Sequence, residues 1–270
     1  MTTRELVAGI LGPLIVATIL WLPPWAFLIL LATAVLIAGH EALTMARAAG
    51  IPCGRWLPLV ALVATMVACW WYRGPGLIAS TLAVLIILPA AQLAHPERPR
   101  GGLSAAATSC FVVLYLGLTT ACVGWLRLLP ADSLGISVLL FLFITVWLGD
   151  SGAYYLGKRY GRHPMAPRIS PKKTWEGLAG GTAATIASAA LCKPLLGIPF
   201  AWGHLLAMAG ILVVAAPVGD LIESLFKRDT GIKDSSTLLL GHGGFLDRTD
   251  SILYAAPPLL AYLFLSGLIG

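Results

Sequence analysis

LGISVLLFLFITVWLGDSGAYYL, residues Leu134–Leu156, decides the fold. It carries no charge before Asp150, and a run of about 17 apolar residues or more is what a helix needs to cross a ~30 Å hydrocarbon layer. Comparable runs recur along the 270 residues, 58% of which are hydrophobic and only 11% charged. A soluble domain carries about 25% charged residues. Transmembrane strands would read as short alternating segments instead, and none is found. The expected class is all-α, a polytopic integral membrane protein of about nine transmembrane helices. The spans are Leu6–Leu22, Trp25–Gly39, Trp56–Tyr72, Leu77–Ala94, Ala105–Trp125, Leu134–Leu156, Leu178–Leu196, His204–Ile222 and Ile252–Ile269. Pro23-Pro24, Gly74-Pro75 and the Pro96–Gly102 stretch mark turns between them.

The net charge of +6 could point to nucleic acid, but its distribution does not. With nine spans, fifteen of the 18 Lys and Arg fall on the side of the N-terminus. Such an excess in short loops marks the cytoplasmic face, so the N-terminus is expected inside and no nucleic-acid partner is required. The five cysteines (Cys53, Cys69, Cys110, Cys122, Cys192) lie in or beside apolar runs with no C-x-x-C pair. They read as small packing residues. One Arg and an apolar run open the chain without a convincing cleavage site, so the first span is expected to stay as a helix.

Two cytoplasmic loops exceed what orientation needs. The loop from Gly157 to Gly177 carries Lys158, Arg159, Arg162, Arg168, Lys172 and Lys173. The loop from Glu223 to Ser251 interleaves Lys227, Arg228, Lys233 and Arg248 with Asp229, Asp234, Asp247 and Asp250. Lys and Arg bind phosphate oxygens, and carboxylates can hold a divalent metal that meets a nucleotide's phosphates. Asp150 and Asp220 sit in or at the ends of apolar spans, with Glu223 one turn beyond Asp220. A carboxylate there costs several kcal/mol unless paired, hydrated or metal-bound. Gly243 and Gly244 would let backbone amides approach a phosphate, and His242 beside them can donate or accept a proton.

The 27 residues from Ser224 to Asp250 resemble the signature of the phosphatidate cytidylyltransferase (CDP-diacylglycerol synthase) family. The anchors are Ser224, Lys227-Arg228, Lys233-Asp234, Ser236, Leu239, His242-Gly243-Gly244, Phe245, Asp247-Arg248 and Asp250. A second stretch is also similar: Asp150-Ser151-Gly152-Ala153-Tyr154-Tyr155, Gly157-Lys158 and Ser170-Pro171-Lys172-Lys173-Thr174-Trp175-Glu176-Gly177. Leu240 departs from the proline that family members often have before Gly-His-Gly-Gly. The resemblance covers roughly the C-terminal half. It implies a helical bundle that transfers CMP from CTP to phosphatidic acid, giving CDP-diacylglycerol and pyrophosphate.

The resemblance also implies a set of site residues. On it, Asp220 and Asp247 are metal ligands, joined by Asp150 and Asp250, with Mg²⁺ as cofactor, with or without a second, monovalent cation. Lys172, Lys173, Lys227, Arg228, Lys233 and Arg248 contact phosphates, and His242 with Gly243 and Gly244 shapes the triphosphate site. Ser170, Glu176 and Ser224 stand among the substrate-binding residues without separable roles. Residues 1–130 form an N-terminal block of spans. Residues 131–270 form the catalytic region with loops 157–177 and 223–251. A homodimer in the bacterial inner membrane, with its active site on the cytoplasmic side, is expected.

Other readings fit less well. Gly152–Arg159 imitates a P-loop but has Arg159 where a hydroxyl must hold Mg²⁺, and it follows a helix rather than a strand. A transporter could use Asp150 and Asp220 in an ion path, yet no inverted repeat is found and the charge clusters lie in loops. A scaffold binding anionic lipid through basic loops would not need interleaved aspartates. The CDP-alcohol phosphotransferases are expected to show D-G-x-x-A-R, which is lacking here.

Overall fold

The computed structural model describes residues 3–94, 101–129, 132–231 and 244–269. Their secondary structure is almost wholly helical: α1 (Thr3–Trp21), α2 (Pro24–Ala48), α3 (Trp56–Ala90), α4 (Gly102–Arg127), α5 (Asp132–Tyr160), α6 (Trp175–Leu195), α7 (Trp202–Asp229) and α8 (Leu246–Leu265). A 3-10 turn, Ala91–Ala94, follows α3. A short hairpin, β1 (Pro164–Ala166) and β2 (Ser170–Thr174), separates α5 from α6. Among the described residues, α2, α3, α4, α5 and α7 are long and apolar enough to cross a membrane. Trp21, Trp25, Trp56 and Trp71 stay more than 60% exposed, which suits a surface solvated by lipid and its interface rather than by water alone.

Among the described residues eight helices stand where nine spans are expected, and the difference lies in α3. Arg73 leaves the helical region (φ 53, ψ −126) and Pro75 follows. Cys69 Sγ lies 3.9 Å from Ser80 Oγ, whereas eleven residues of unbroken helix would separate them by about 16 Å. The chain therefore doubles back, with its two arms on the expected spans Trp56–Tyr72 and Leu77–Ala94. Gly76 makes the reversal possible, because a Cβ there would stand 2.0 Å from the carbonyl oxygen of Ala68.

Two compact units are formed. The first comprises Met1–Trp125 with Lys227–Arg248, the second Leu126–Phe226 with Thr249–Gly270. The first has a core of Leu43, Leu62, Met66, Leu88 and Leu116. The second buries Leu139, Phe141, Leu142, Leu205, Met208, Leu259 and Leu263. Within it α5 and α6 touch along a seam of small residues. A Cβ on Gly152 would meet Ala184 Cβ at 2.6 Å and Gly180 O at 2.8 Å, and one on Gly157 would meet Gly177 Cα at 3.3 Å. Small residues let helix backbones approach this closely in a membrane.

The helices also run further than the spans read from hydropathy. α2 passes the expected end at Gly39 and continues to Ala48. α7 continues through Asp229, so Glu223, Ser224, Lys227 and Arg228 are helical residues rather than loop residues. α8 begins at Leu246 and takes Asp247, Arg248 and Asp250 into its first turns. Apolar content marks only the part of a helix inside the lipid, whereas backbone hydrogen bonding carries each helix beyond it.

Candidate active site

In the second unit, α7 supplies Asp220 and Glu223, three residues apart and so on one face. α8 supplies Asp250. Gly219 brings the two helices together, since a Cβ there would meet Tyr254 Cβ at 2.7 Å and Asp250 O at 2.8 Å. One carboxylate oxygen from each of Asp220, Glu223 and Asp250 falls within 4.8 Å of the others. Glu223 and Asp250 are buried, at 3% and 5% exposure. Lys173 Nζ lies 2.8 Å from Asp220 Oδ2 and donates to the Pro217 carbonyl at 3.2 Å. Ser224 Oγ reaches Asp220 Oδ1 at 3.5 Å. Three carboxylates at this spacing repel one another, and one lysine offsets only part of their charge. Their hard oxygen donors fit a divalent cation of the Mg²⁺ or Ca²⁺ kind.

Of the expected metal ligands, Asp220 and Asp250 are thus brought together. Asp150 is exposed on α5 and is not one of the three, although it is near enough to feel the charges of Asp220 and Lys173. Glu223 is the third converging carboxylate. Its signal was its position one turn after Asp220.

Asp247 belongs to the first unit. Its Oδ1 lies 2.9 Å from Lys227 Nζ, and its Oδ2 accepts the Gly244 N–H at 2.9 Å. Arg228 and Arg248 are exposed. Lys233, His242 and Gly243 lie outside the described residues.

The hairpin sorts the remaining bases. β1 and β2 pair antiparallel, Pro164 opposite Thr174 and Ala166 opposite Ser170. Side chains alternate along a strand, so Lys172 is exposed while its neighbour Lys173 turns toward Asp220. Ser170 is half-buried at the strand's start. Thr174 ends the strand as the N-cap of α6, accepting the Gly177 N–H at 3.1 Å. Glu176, expected among the substrate-binding residues, clasps the hairpin. It meets His163 Nδ1 at 2.5 Å and accepts the N–H groups of Arg162 and His163 at 3.1 and 3.3 Å. The His163 contact first, then the Arg162 amide, holds its carboxyl down at about 2.

A family model described as "Cytidylyltransferase family" matches residues 2–266. The chain belongs to the cytidylyltransferase family. Curated relatives agree. It is 41% identical to a phosphatidate cytidylyltransferase of Brucella suis over 152 residues, 56% of this chain and 54% of that protein. It is 43% identical to one of Pseudomonas aeruginosa over 158 residues, 57% and 58% of the two chains. Identity to one of Mycobacterium leprae is 34% over 265 residues, 91% of this chain and 82% of that one. The Brucella match spans about half the length of that relative.

Proposed function

We propose that this family member is a phosphatidate cytidylyltransferase of the bacterial inner membrane, working at the cytoplasmic ends of its helices. The observation that carries the reading is the Asp220–Glu223–Asp250 trio with Lys173 against it. In the reaction, a phosphate oxygen of phosphatidate forms a bond to the α-phosphorus of CTP. The bond from that phosphorus to the β-phosphate oxygen breaks, and pyrophosphate leaves with its electron pair. Such transfer needs positioning and charge neutralisation more than covalent help.

Asp220, Glu223 and Asp250 would hold Mg²⁺, which when bound would neutralise phosphate charge and polarise the phosphorus. Lys173 is held by Asp220 and the Pro217 carbonyl, so its ammonium is already oriented when a phosphate arrives. Lys172, on the outward face of the same strand, and Arg228 and Arg248, on exposed helix ends, supply cations for the polyanions. Asp247, through its ion pair, fixes the ammonium of Lys227. On the family resemblance, Lys233, His242, Gly243 and Gly244 serve the nucleotide, and Ser170 and Ser224, both half-buried, contact substrate.

Purified protein in vesicles, given labelled CTP, Mg²⁺ and phosphatidic acid, is expected to form labelled CDP-diacylglycerol and pyrophosphate in equal amounts. Asp220→Asn and Asp247→Asn should each lower turnover at least about 100-fold while the protein stays inserted. Lys173→Ala should raise the CTP concentration needed. Wild-type vesicles that form no CDP-diacylglycerol would refute the assignment.

A further inference from the structure

Glu41 is buried to 2% exposure near the end of α2, and it is not one of the three converging carboxylates. Its Oε1 accepts the N–H of Phe245 at 3.1 Å and its Oε2 the N–H of Leu246 at 3.0 Å. These amides open α8, where the first N–H groups have no carbonyl one turn back to receive them. Phe245 stands at the N-cap position, and its side chain accepts no hydrogen bond and so cannot cap the first turn. A carboxylate arriving from a helix about two hundred residues earlier takes that task, and its charge faces the positive end of the helix dipole. The preceding amide, that of Gly244, goes to Asp247 Oδ2 at 2.9 Å, while Asp247 Oδ1 faces Lys227. Three successive N–H groups are thus divided between two carboxylates. If Glu41 released its two, the carboxylate of Asp247, which already holds the neighbouring Gly244 N–H, would be drawn toward them and away from Lys227.

We propose that Glu41 is a positioning residue for catalysis, which sets the start of α8 and thereby the carboxylate of Asp247. Its effect on catalysis rests on the proposed cytidylyltransferase function; the capping contact does not.

The test uses the full chain in nanodiscs, as wild type, Glu41→Gln and Glu41→Leu. A glutamine is the same size but offers one carbonyl oxygen to two N–H groups. A leucine removes the burial cost of a charge, and so should stabilise if packing were all that mattered. Expected for Glu41→Gln is a kcat about 10- to 100-fold lower, as for lost outer-shell partners of ligands. KM for CTP should change less than about threefold. Hydrogen exchange at Phe245 and Leu246 should speed up while the melting temperature stays put. Glu41→Leu should lose at least as much kcat; should it not fold, Glu41→Gln alone decides. A kcat that falls without faster exchange at these amides, or exchange that rises with kcat intact, overturns the proposal. Wild type inactive on CTP and phosphatidate would sink the enzyme assignment, and the exchange data would still judge the capping contact.

Discussion

Glu176 illustrates how one side chain can clasp a hairpin. The family resemblance sets it among the substrate-binding residues, and its carboxylate is held by His163 and two backbone amides. Those contacts are made by the charged form, so they hold its pKa down at about 2 against an ordinary 4.5. A carboxyl lowered by folding contributes in full above its unfolded value. The contribution is lost as pH falls from about 4.5 toward about 2. The Arg162 and His163 amides should therefore keep their exchange protection at about pH 5 and lose it progressively toward about pH 2, beyond the intrinsic pH effect on exchange. Glu176→Gln should show that low protection already near neutral pH; equal protection in the variant would show that the clasp contributes nothing.

Other residues differ in how far the sequence exposed them. Asp220 stood out because an acid in or at the end of an apolar run demands a partner, whereas Asp250 entered only through the family resemblance. Glu223 was visible as the next turn but gained its meaning only when α8 arrived beside Gly219. Glu41 was not legible: with the second span read as ending at Gly39, it lay in a loop where a glutamate needs no explanation. What identified it was tertiary, a pair of amides about two hundred residues away.

At the scale of elements, glycine spacing does what hydropathy cannot. The run Leu134–Leu156 gave α5 as a crossing helix, but its partner is set by Gly149, Gly152 and Gly157 facing Gly177, Gly180 and Gly181. Leucine at Gly152 would have to occupy space held by Ala184 Cβ and the Gly180 carbonyl. Overpacking of this kind costs about 1–3 kcal/mol, and here the obstacle is partly backbone, so the upper end is expected. Gly152→Leu should lower the melting temperature in detergent by several degrees. Gly210, with nothing within 4 Å of a Cβ, is the control: Gly210→Leu on α7 should leave it unchanged or raise it, because glycine is about 1 kcal/mol worse than other residues within a helix. Equal effects at the two positions would mean the α5–α6 seam is not tightly packed. The break in α3 has the same lesson. Gly74-Pro75 announced a turn, yet the reversal itself resides in Arg73 and in the room that Gly76 leaves.

At the scale of the molecule, the distribution of charge predicts orientation. Fifteen of 18 basic residues share a side only if the chain alternates as the spans imply, which requires α6 to cross; at 21 residues it has the length of one crossing, though it is less apolar than the five long apolar helices. The hairpin before α6 and the turn before α7 must then face opposite compartments. The protein is suited to test this because all five native cysteines are buried, so background labelling by a membrane-impermeant maleimide should be small. Arg168 in the hairpin and Ala201 before α7 are both exposed. In intact cells with the outer barrier opened, Ala201→Cys should label and Arg168→Cys should not, until the inner membrane is permeabilised. Arg168 would then stand with Lys172 and Lys173 on the side where a soluble nucleotide triphosphate is made. Labelling of both positions from outside would break the positive-inside assignment, and with it the compartment in which this chain could meet CTP.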